Sequence, residues 1–246
     1  MSRMPDGFID LTVTSPPYDN LRTYNGFEFD WKAVIKELYR VTKEGGVVVW
    51  VVGDATINGS ETGTSFRQAL YAMECGYNLH DTMIYQKSTP PLTHNRYEQN
   101  FEYMFVWSKG KPFAFNGLTE KRKYTDNRKD KRFGRNADNT VDTGYSSKYE
   151  TRLKRNVWAF FAGGGANDKI ASQHPAIFPE KLAYEHIISW SNEGDLIYDP
   201  FMGSGTTAKA AISANRDWIG SEISSEYCEI IRKRLEPLTH NLFSAW

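Results

Sequence analysis

Residues 195–222 read DLIYDPFMGSGTTAKAAISANRDWIGSE, and this stretch joins a predicted strand, a glycine-rich turn, a helix and a second strand. The segments at its two ends are short, partly apolar and bounded by turn residues, as is typical of strands. Gly203 and Gly205 permit a tight turn whose backbone a ligand can approach closely. The alanine-rich helix that follows can pack closely against a sheet. This order of elements predicts an α/β fold with a doubly wound sheet.

The glycine turn, together with Glu222, predicts a site for a nucleoside-bearing cofactor. The turn lacks the third glycine of a dinucleotide fingerprint and the lysine of a P-loop, so a pyrophosphate or a nucleoside triphosphate fits poorly. Glu222 ends the second strand, about 20 residues on, where a carboxylate can accept hydrogen bonds from both hydroxyls of a ribose. Each feature also has a structural alternative. The glycine turn could only connect a strand to a helix, and Glu222 could only cap the helix that follows it.

The same alternation extends along the rest of the chain and predicts a mostly parallel, doubly wound sheet of the Rossmann type. Further strands are predicted at residues 8–14, 47–52, 80–86 and 101–107. Helices are predicted from residue 30 to the stop signal Glu44-Gly45-Gly46, at 63–75, at 179–190, and at the end of the chain up to Leu235. Ligands bind beyond the carboxyl ends of the strands in such a sheet. The candidate site therefore comprises residues 15–18 and 199–207, which follow two strands.

Composition predicts a soluble cytoplasmic protein. The 246 residues carry 30 basic and 30 acidic side chains, so a nucleic-acid surface must come from local clustering of charge. Two cysteines, Cys75 and Cys228, are too few for a disulfide framework and have no metal-ligand spacing, which favours a reducing cytosol and no metal site. The longest apolar run, residues 47–52, is far shorter than the roughly 20 residues that span a bilayer. No signal peptide is recognised.

Residues 113–156 differ in composition from the rest and predict an inserted segment. From residue 117 to 156 there are twelve basic and six acidic side chains, without a periodic apolar pattern. Lysine and arginine can neutralise phosphates, and arginine can read guanine edges in the major groove. The plainer alternative is a solvated, charged loop.

The motifs TSPPY at 14–18 and DPFMGSGTT at 199–207 resemble those of the S-adenosylmethionine-dependent DNA amino methyltransferases, which modify N4 of cytosine or N6 of adenine. FEYMFVWSKGKP at 101–112 and HPAIFPEKL at 174–182 resemble further segments of that family. The catalytic motif precedes the cofactor motif, as in the permuted β class. The resemblance implies a catalytic half at 1–112, a target-recognition insertion at 113–156 and a cofactor-binding half at 157–246.

The resemblance also implies roles for individual residues. The catalytic residues would be Ser15, Pro16, Pro17 and Tyr18. The cofactor-binding residues would be Phe178, Pro179, Asp199, Pro200, Phe201, Gly203, Ser204, Gly205, Thr206 and Glu222. The DNA-binding residues would be Arg22, Tyr24, Lys121, Arg122, Lys123, Arg128, Lys129, Arg132 and Arg135. Family members usually carry a further strand and an acidic residue before TSPPY, whereas here only MSRMPDG precedes that strand. Two alternatives follow: adenine recognition uses another element, or the chain is shortened.

The expected substrate is cytosine N4 in double-stranded DNA, with a flipped target base. Serine in the first position of the tetrapeptide is associated mostly with cytosine N4 in the family, and aspartate with adenine N6, which is the alternative. A C5 mechanism is disfavoured because neither cysteine lies in such a turn. Methylation of RNA or of a small molecule, and a non-catalytic DNA-binding module, are further alternatives. The resemblance is compatible with a homodimer, a cognate restriction endonuclease as partner, and a prokaryotic or phage origin.

Overall fold

The structure is a computed structural model. It describes residues 1–17, 29–87, 96–122, 133–135, 138, 140–143, 150–160 and 179–243. The chain divides into two compact units, one formed by Met1–Asn116 with Asn156–Trp246 and one by Gly117–Arg155. The helices are α1 (Trp31–Val41), α2 (Thr64–Glu74), α3 (Glu180–Trp190), α4 (Thr206–Ser213) and α5 (Ser225–Phe243).

The larger unit is built on a seven-stranded sheet. Its strands are β1 (Ile9–Thr14), β2 (Thr42–Val52), β5 (Asn78–Lys87), β6 (Phe101–Ser108), β11 (Val157–Phe160), β12 (Leu196–Asp199) and β13 (Asp217–Gly220). The strand order is β11-β5-β6-β2-β1-β12-β13, with β6 antiparallel to both of its neighbours and all other pairs parallel. The mostly parallel, Rossmann-like sheet predicted from the sequence is confirmed. A short hairpin of β3 (Thr56–Ile57) and β4 (Ser60–Glu61) follows β2.

The central strands form the core because both faces of the sheet are covered. Residues 47–52 of β2 are all buried, which accounts for their continuous apolar run. Trp50 stacks on Trp107 of β6 with ring centroids 5.3 Å apart. The indole of Trp50 also donates a hydrogen bond to Gln68 of α2 at 2.8 Å, so its polar atom is satisfied inside the core.

Two helices end at different residues than the sequence predicts. Helix α1 ends at Val41, before the glycines, because Thr42 already adopts an extended backbone and pairs with Ile9 of β1. Helix α5 continues past Leu235 and contains Pro237, although proline normally interrupts a helix. Packing of Leu235 and Leu238 against Met202 and neighbouring side chains accompanies this continuation. Tertiary contacts therefore outweigh the local signal at this helix end.

Substitution of Gly46 by alanine is expected to lower the stability of the fold. A β-carbon at this position would lie 2.9 Å from the carbonyl oxygen of Lys43 and 3.0 Å from that of Asp10. Both are backbone atoms, so relief requires a shift of β1 or β2, and overpacking of this kind costs about 1–3 kcal/mol. Urea unfolding of Gly46→Ala should show a lower midpoint with an unchanged slope. An unchanged midpoint would show that the two strands separate without cost.

The smaller unit, Gly117–Arg155, contains two antiparallel strand pairs. Strand β7 (Thr119–Lys121) pairs with β10 (Thr151–Leu153), and β8 (Phe133–Arg135) pairs with β9 (Val141–Thr143). The side chains of β7 and β10 are exposed or half-buried, which agrees with the lack of apolar periodicity in this stretch.

Candidate active site

The carboxyl ends of β1 and β12 lie side by side because the two strands are parallel neighbours. Ser15, Pro16 and Pro17 follow β1, while Asp199 is the last residue of β12 and leads into the glycine turn. Pro16 is buried, and Ser15 and Pro17 are half-buried. The fold therefore brings the two motifs, which are far apart in sequence, to one edge of the sheet.

Asp199 connects these strand ends through buried hydrogen bonds. Its Oδ1 accepts from Thr14 Oγ1 at 2.7 Å and from the backbone amide of Phe201 at 3.0 Å. Its Oδ2 accepts from Thr207 Oγ1 at 2.7 Å. Burial raises the pKa of this carboxyl above its ordinary value, while the three donors oppose the rise by favouring the ionised form. Both oxygens are engaged by protein donors, so we expect Asp199 to act on the cofactor through the turn that it holds.

The glycine turn between β12 and α4 uses backbone conformations that favour glycine. Gly203 has φ 51° and Gly205 has φ 81°, both in the left-handed region. The amide of Gly205 donates to the carbonyl of Met202 at 2.7 Å, and α4 begins directly afterwards. A β-carbon at position 205 would also come within 3.3 Å of Ile231. The turn is therefore tight and places the N-terminus of α4 at the site.

Glu222 lies beside the same turn, two residues beyond the neighbouring strand β13, which ends at Gly220 and not at Glu222 as the sequence predicts. Strand β13 pairs with β12 so that Gly220 is opposite Asp199, which brings Glu222 to the same edge of the sheet. Its Oε2 accepts from the amide of Gly203 at 2.8 Å, and its Oε1 accepts from the amide of Ser224 at 2.9 Å. A carboxylate has about four acceptor positions. Glu222 can thus hold the turn and still accept two further hydrogen bonds.

These residues fit a cofactor with a ribose, such as S-adenosylmethionine. A ribose offers two hydroxyl donors, and the acceptor capacity of Glu222 lies next to the glycine turn. Phe201 is half-buried and contacts the ring of Phe29 edge-on at a centroid distance of 5.1 Å, so an apolar surface adjoins the turn. The predicted residues Pro200, Ser204 and Thr206 are buried within the turn or at its end, and Pro179 is half-buried at the start of α3.

Arg234 of α5 supports the turn from its buried side. Its side chain is 4% exposed, and Nη1 donates to the carbonyl of Ser204 at 3.0 Å and to Oγ1 of Thr206 at 2.9 Å. Glu180 lies 3.5 Å from Nη2 of Arg234 and 2.9 Å from Nζ of Lys209. A buried guanidinium is costly unless it is paired and hydrogen-bonded. This network therefore joins the starts of α3 and α4 to α5 behind the turn.

Replacement of Arg234 by alanine is expected to lower the free energy of unfolding by about 3 kcal/mol. This value is the lower end of the range for a broken buried ion pair. We take the lower end because the remaining partner, Glu180, is 38% exposed and its charge is partly solvated. Cofactor affinity should fall as well, since Ser204 and Thr206 lose their donor. Urea unfolding and calorimetric titration with S-adenosylmethionine measure the two effects. Arg234→Lys, which keeps the charge but loses the planar fork, should lie between wild type and alanine. Wild-type stability of Arg234→Ala would contradict the supporting role.

The described DNA-binding candidates lie on β7 and beside it. Lys121 is exposed, and the guanidinium of Arg122 donates to the carbonyl of Thr151 at 3.4 Å. Arg152 is neutralised by Glu120 at 2.7 Å. Other predicted site residues lie outside the described residues, as does the side chain of Arg135, and their roles stay predictions: Tyr18, Arg22, Tyr24, Lys123, Arg128, Lys129, Arg132 and Phe178.

Among the residues that the structure describes, no cluster of histidine, cysteine or acidic side chains could hold a metal ion. No helix in the described ranges is long and apolar enough to cross a membrane.

Comparison with known proteins identifies the family. The model of the N6_N4_Mtase family, described as DNA methylase, matches residues 9–233. The orphan methyltransferase M.BamHII of Bacillus amyloliquefaciens is 56% identical over 238 residues, which cover 94% of this chain and 90% of that protein. The family match spans the catalytic and the cofactor motifs.

Two solved structures support the fold. The PvuII DNA methyltransferase, which is cytosine-N4-specific, aligns with a TM-score of 0.67 at 20% identity and covers 97% of this chain and 86% of its own. A putative DNA modification methylase from Thermus thermophilus, in complex with S-adenosyl-L-methionine, aligns with a TM-score of 0.64 at 24% identity, covering 96% and 89%. The resemblance to the β-class DNA amino methyltransferases is confirmed by the family model and by M.BamHII. The chain belongs to the N6_N4_Mtase family of DNA methylases and is an S-adenosylmethionine-dependent DNA methyltransferase of the amino class.

Proposed function

We propose that the chain methylates the exocyclic N4 of a cytosine at specific sites in double-stranded DNA. The supporting observation is that Ser15 and Pro16 directly follow β1, whose last residue, Thr14, is tied to Asp199 at the glycine turn by a 2.7 Å hydrogen bond. Serine in the first position of the tetrapeptide favours cytosine N4 in this family. Adenine N6 is the alternative, because the same pair of acceptors suits either amine.

The proposed chemistry depends on two acceptors that converge on one amino group. The lone pair of an exocyclic amine is delocalised into the base, so the nitrogen is a poor nucleophile. The Ser15 hydroxyl and the Pro16 carbonyl would accept hydrogen bonds from the amine and favour a tetrahedral nitrogen. Proline at 16 and 17 restricts the backbone, so the acceptors need little reorganisation during the reaction. Bound S-adenosylmethionine supplies the electrophilic methyl group.

We further propose that Tyr18 stacks on the target base. An amine inside a base pair is not accessible, so the nucleotide must leave the duplex stack. Stacking on an aromatic ring contributes about 1–3 kcal/mol per base and offsets part of the cost of flipping. Tyr18 follows Pro17 directly in the sequence.

The identity of the methylated nucleoside tests the proposal. Unmethylated genomic DNA is incubated with the protein and labelled S-adenosylmethionine, digested to nucleosides and analysed by mass spectrometry. We expect labelled N4-methylcytosine. Labelled N6-methyladenine would support the proposed two-acceptor chemistry and would show that the target base is adenine, not cytosine. Equal labelling of duplex RNA would contradict DNA as the substrate.

We also propose that the unit Gly117–Arg155 recognises the target DNA, with Lys121 at a phosphate. Lys121→Ala should weaken binding similarly for all sequences and reduce the slope of log affinity against log salt by about 0.9. Fluorescence anisotropy of a labelled duplex at several salt concentrations measures both. Lys233→Ala removes the same charge from an exposed position on α5 and is the matched control. An unchanged slope in Lys121→Ala would remove this residue from the DNA contact.

A homodimer and a cognate restriction endonuclease remain predictions about partners. Light scattering of the purified protein measures the first, and a mass near twice 28.2 kDa is expected for a dimer.

A further inference from the structure

We propose that Thr14 is a positioning residue for methyl transfer, which fixes the strand end carrying Ser15 to the turn that holds the cofactor. The proposal rests on the proposed function, since it concerns the placement of the Ser15 acceptor relative to the methyl donor. Thr14 is the last residue of β1 and is fully buried. Its peptide bond leads directly to Ser15, so the orientation of Thr14 is transmitted to the catalytic turn.

The backbone pairing between β1 and β12 ends before the site. The registered pairs are Leu11 with Ile197 and Thr12 with Tyr198. On the other side of β1, pairing with β2 continues to Thr14, which lies opposite Trp50. The last part of β1 is therefore held to β2 by the backbone ladder. The distance between the end of β1 and the glycine turn after β12 is therefore fixed by side-chain hydrogen bonds.

Asp199 provides this side-chain connection. Thr14 Oγ1 donates to Asp199 Oδ1 at 2.7 Å, and Thr207 Oγ1 lies 2.7 Å from Asp199 Oδ2. The hydroxyl of Thr207 also lies 3.2 Å from the carbonyl oxygen of Val13, so its proton is shared between β1 and Asp199. Asp199 is 5% exposed, and hydrogen bonds in such surroundings are stronger than in water. The end of β1 is thus linked to the start of α4 at two adjacent residues.

A tie of this kind matters for catalysis because transfer requires in-line placement of the amine and the methyl group. A misplacement of about 1 Å can cost roughly 100-fold in rate. Loss of the Thr14 hydroxyl would leave Ser15 chemically intact but would remove the hydrogen bond that ties the preceding residue to Asp199. The expected signature is a loss in kcat with a small change in cofactor affinity.

Thr12 offers a matched control in the same strand. It lies two residues earlier, so it faces the same side of the sheet as Thr14, and it is also fully buried. Within the described part of the chain, its hydroxyl makes no hydrogen bond. Thr12→Val and Thr14→Val therefore make the same change of shape, and only the second removes a hydrogen bond.

The experiment compares Thr14→Val, Thr14→Ser and Thr12→Val with the wild type. It measures kcat, the Kd of S-adenosylmethionine by calorimetry, and hydrogen exchange without cofactor in residues 199–207 relative to 101–108. For Thr14→Val we expect kcat to fall about 10- to 100-fold, Kd to change less than about threefold, and exchange to rise selectively at 199–207. Thr14→Ser and Thr12→Val should stay within about threefold of the wild type in kcat.

Equal behaviour of Thr14→Val and Thr12→Val would overturn the proposal. So would a loss of kcat in Thr14→Val without faster exchange at 199–207, since the effect would not pass through Asp199. If Thr14→Val does not fold, Thr207→Val breaks the other end of the same connection and is expected to give the same pattern. Failure of the proposed function is distinguishable, because the wild type would then methylate no cytosine while the exchange comparison still reports on the connection.

Discussion

Ser15→Ala should lower kcat about 100- to 1,000-fold, the range seen when one preorganised hydrogen-bonding group is removed from a transition-state site. The lost hydroxyl is one of two acceptors proposed to face the target amine, and its contribution grows as the nitrogen becomes tetrahedral. Ser15 follows β1, whereas the cofactor turn follows β12. The Kd of S-adenosylmethionine should therefore change little, and the loss should appear in turnover.

Single-turnover methylation of a duplex gives the rate, and calorimetric titration gives the cofactor affinity. Ser213→Ala makes the same chemical change in α4, where the hydroxyl donates to the carbonyl of Lys209 at 2.9 Å, and should leave both quantities unchanged. Ser15→Asp is an informative third variant because it restores an acceptor with a charge. A large loss of cofactor affinity in Ser15→Ala, with turnover preserved, would mean that Ser15 contacts the cofactor instead of the base.

Much of the fold was predictable because its strands carry strong local signals. The buried run in β2 and the strand–turn–helix–strand order around residue 203 each point to a parallel sheet without knowledge of any contact. The helix ends were less predictable. Helix α1 ends at Val41 because Thr42 pairs with Ile9 of β1. Helix α5 continues through Pro237, and Leu238 packs against the cluster around Met202. Both outcomes depend on partners distant in sequence.

The site shows the same division between local and distant information. Ser15, the glycine turn and Glu222 can be identified in the sequence because each belongs to a short motif next to a predicted strand end. Thr14 and Arg234 do not, since their partners lie 185 and 30 residues away, respectively. A weak signal existed for Arg234. It is a basic residue on the face of α5 that also carries the buried residues Ile230 and Leu235. For Thr14 the signal was a polar residue in an apolar strand, which Thr12 shares without the hydrogen bond.

Glu222→Ala should raise the Kd of S-adenosylmethionine roughly 10- to 100-fold. Hydrogen bonds to a charged group contribute about 1.5–3 kcal/mol, and the proposed contacts are to ribose hydroxyls. The substitution also removes the acceptors for the amides of Gly203 and Ser224, so the turn loses part of its support. Both effects raise the Kd of the cofactor, and neither removes a group that is proposed to contact the target amine. At saturating cofactor, kcat should thus recover more fully than it does in Ser15→Ala.

Calorimetric titration without DNA isolates this effect from target recognition. Glu226→Ala removes the same side chain from an exposed position in the first turn of α5 and should bind the cofactor like the wild type. Glu222→Gln keeps one acceptor oxygen and should fall between wild type and alanine. An unchanged Kd in Glu222→Ala would reject the ribose contact and leave Glu222 as a cap on the turn. If Glu222→Ala raises the Kd of S-adenosylmethionine and the Kd of adenosine by the same factor, the interaction lies at the nucleoside, since adenosine lacks the methionine moiety.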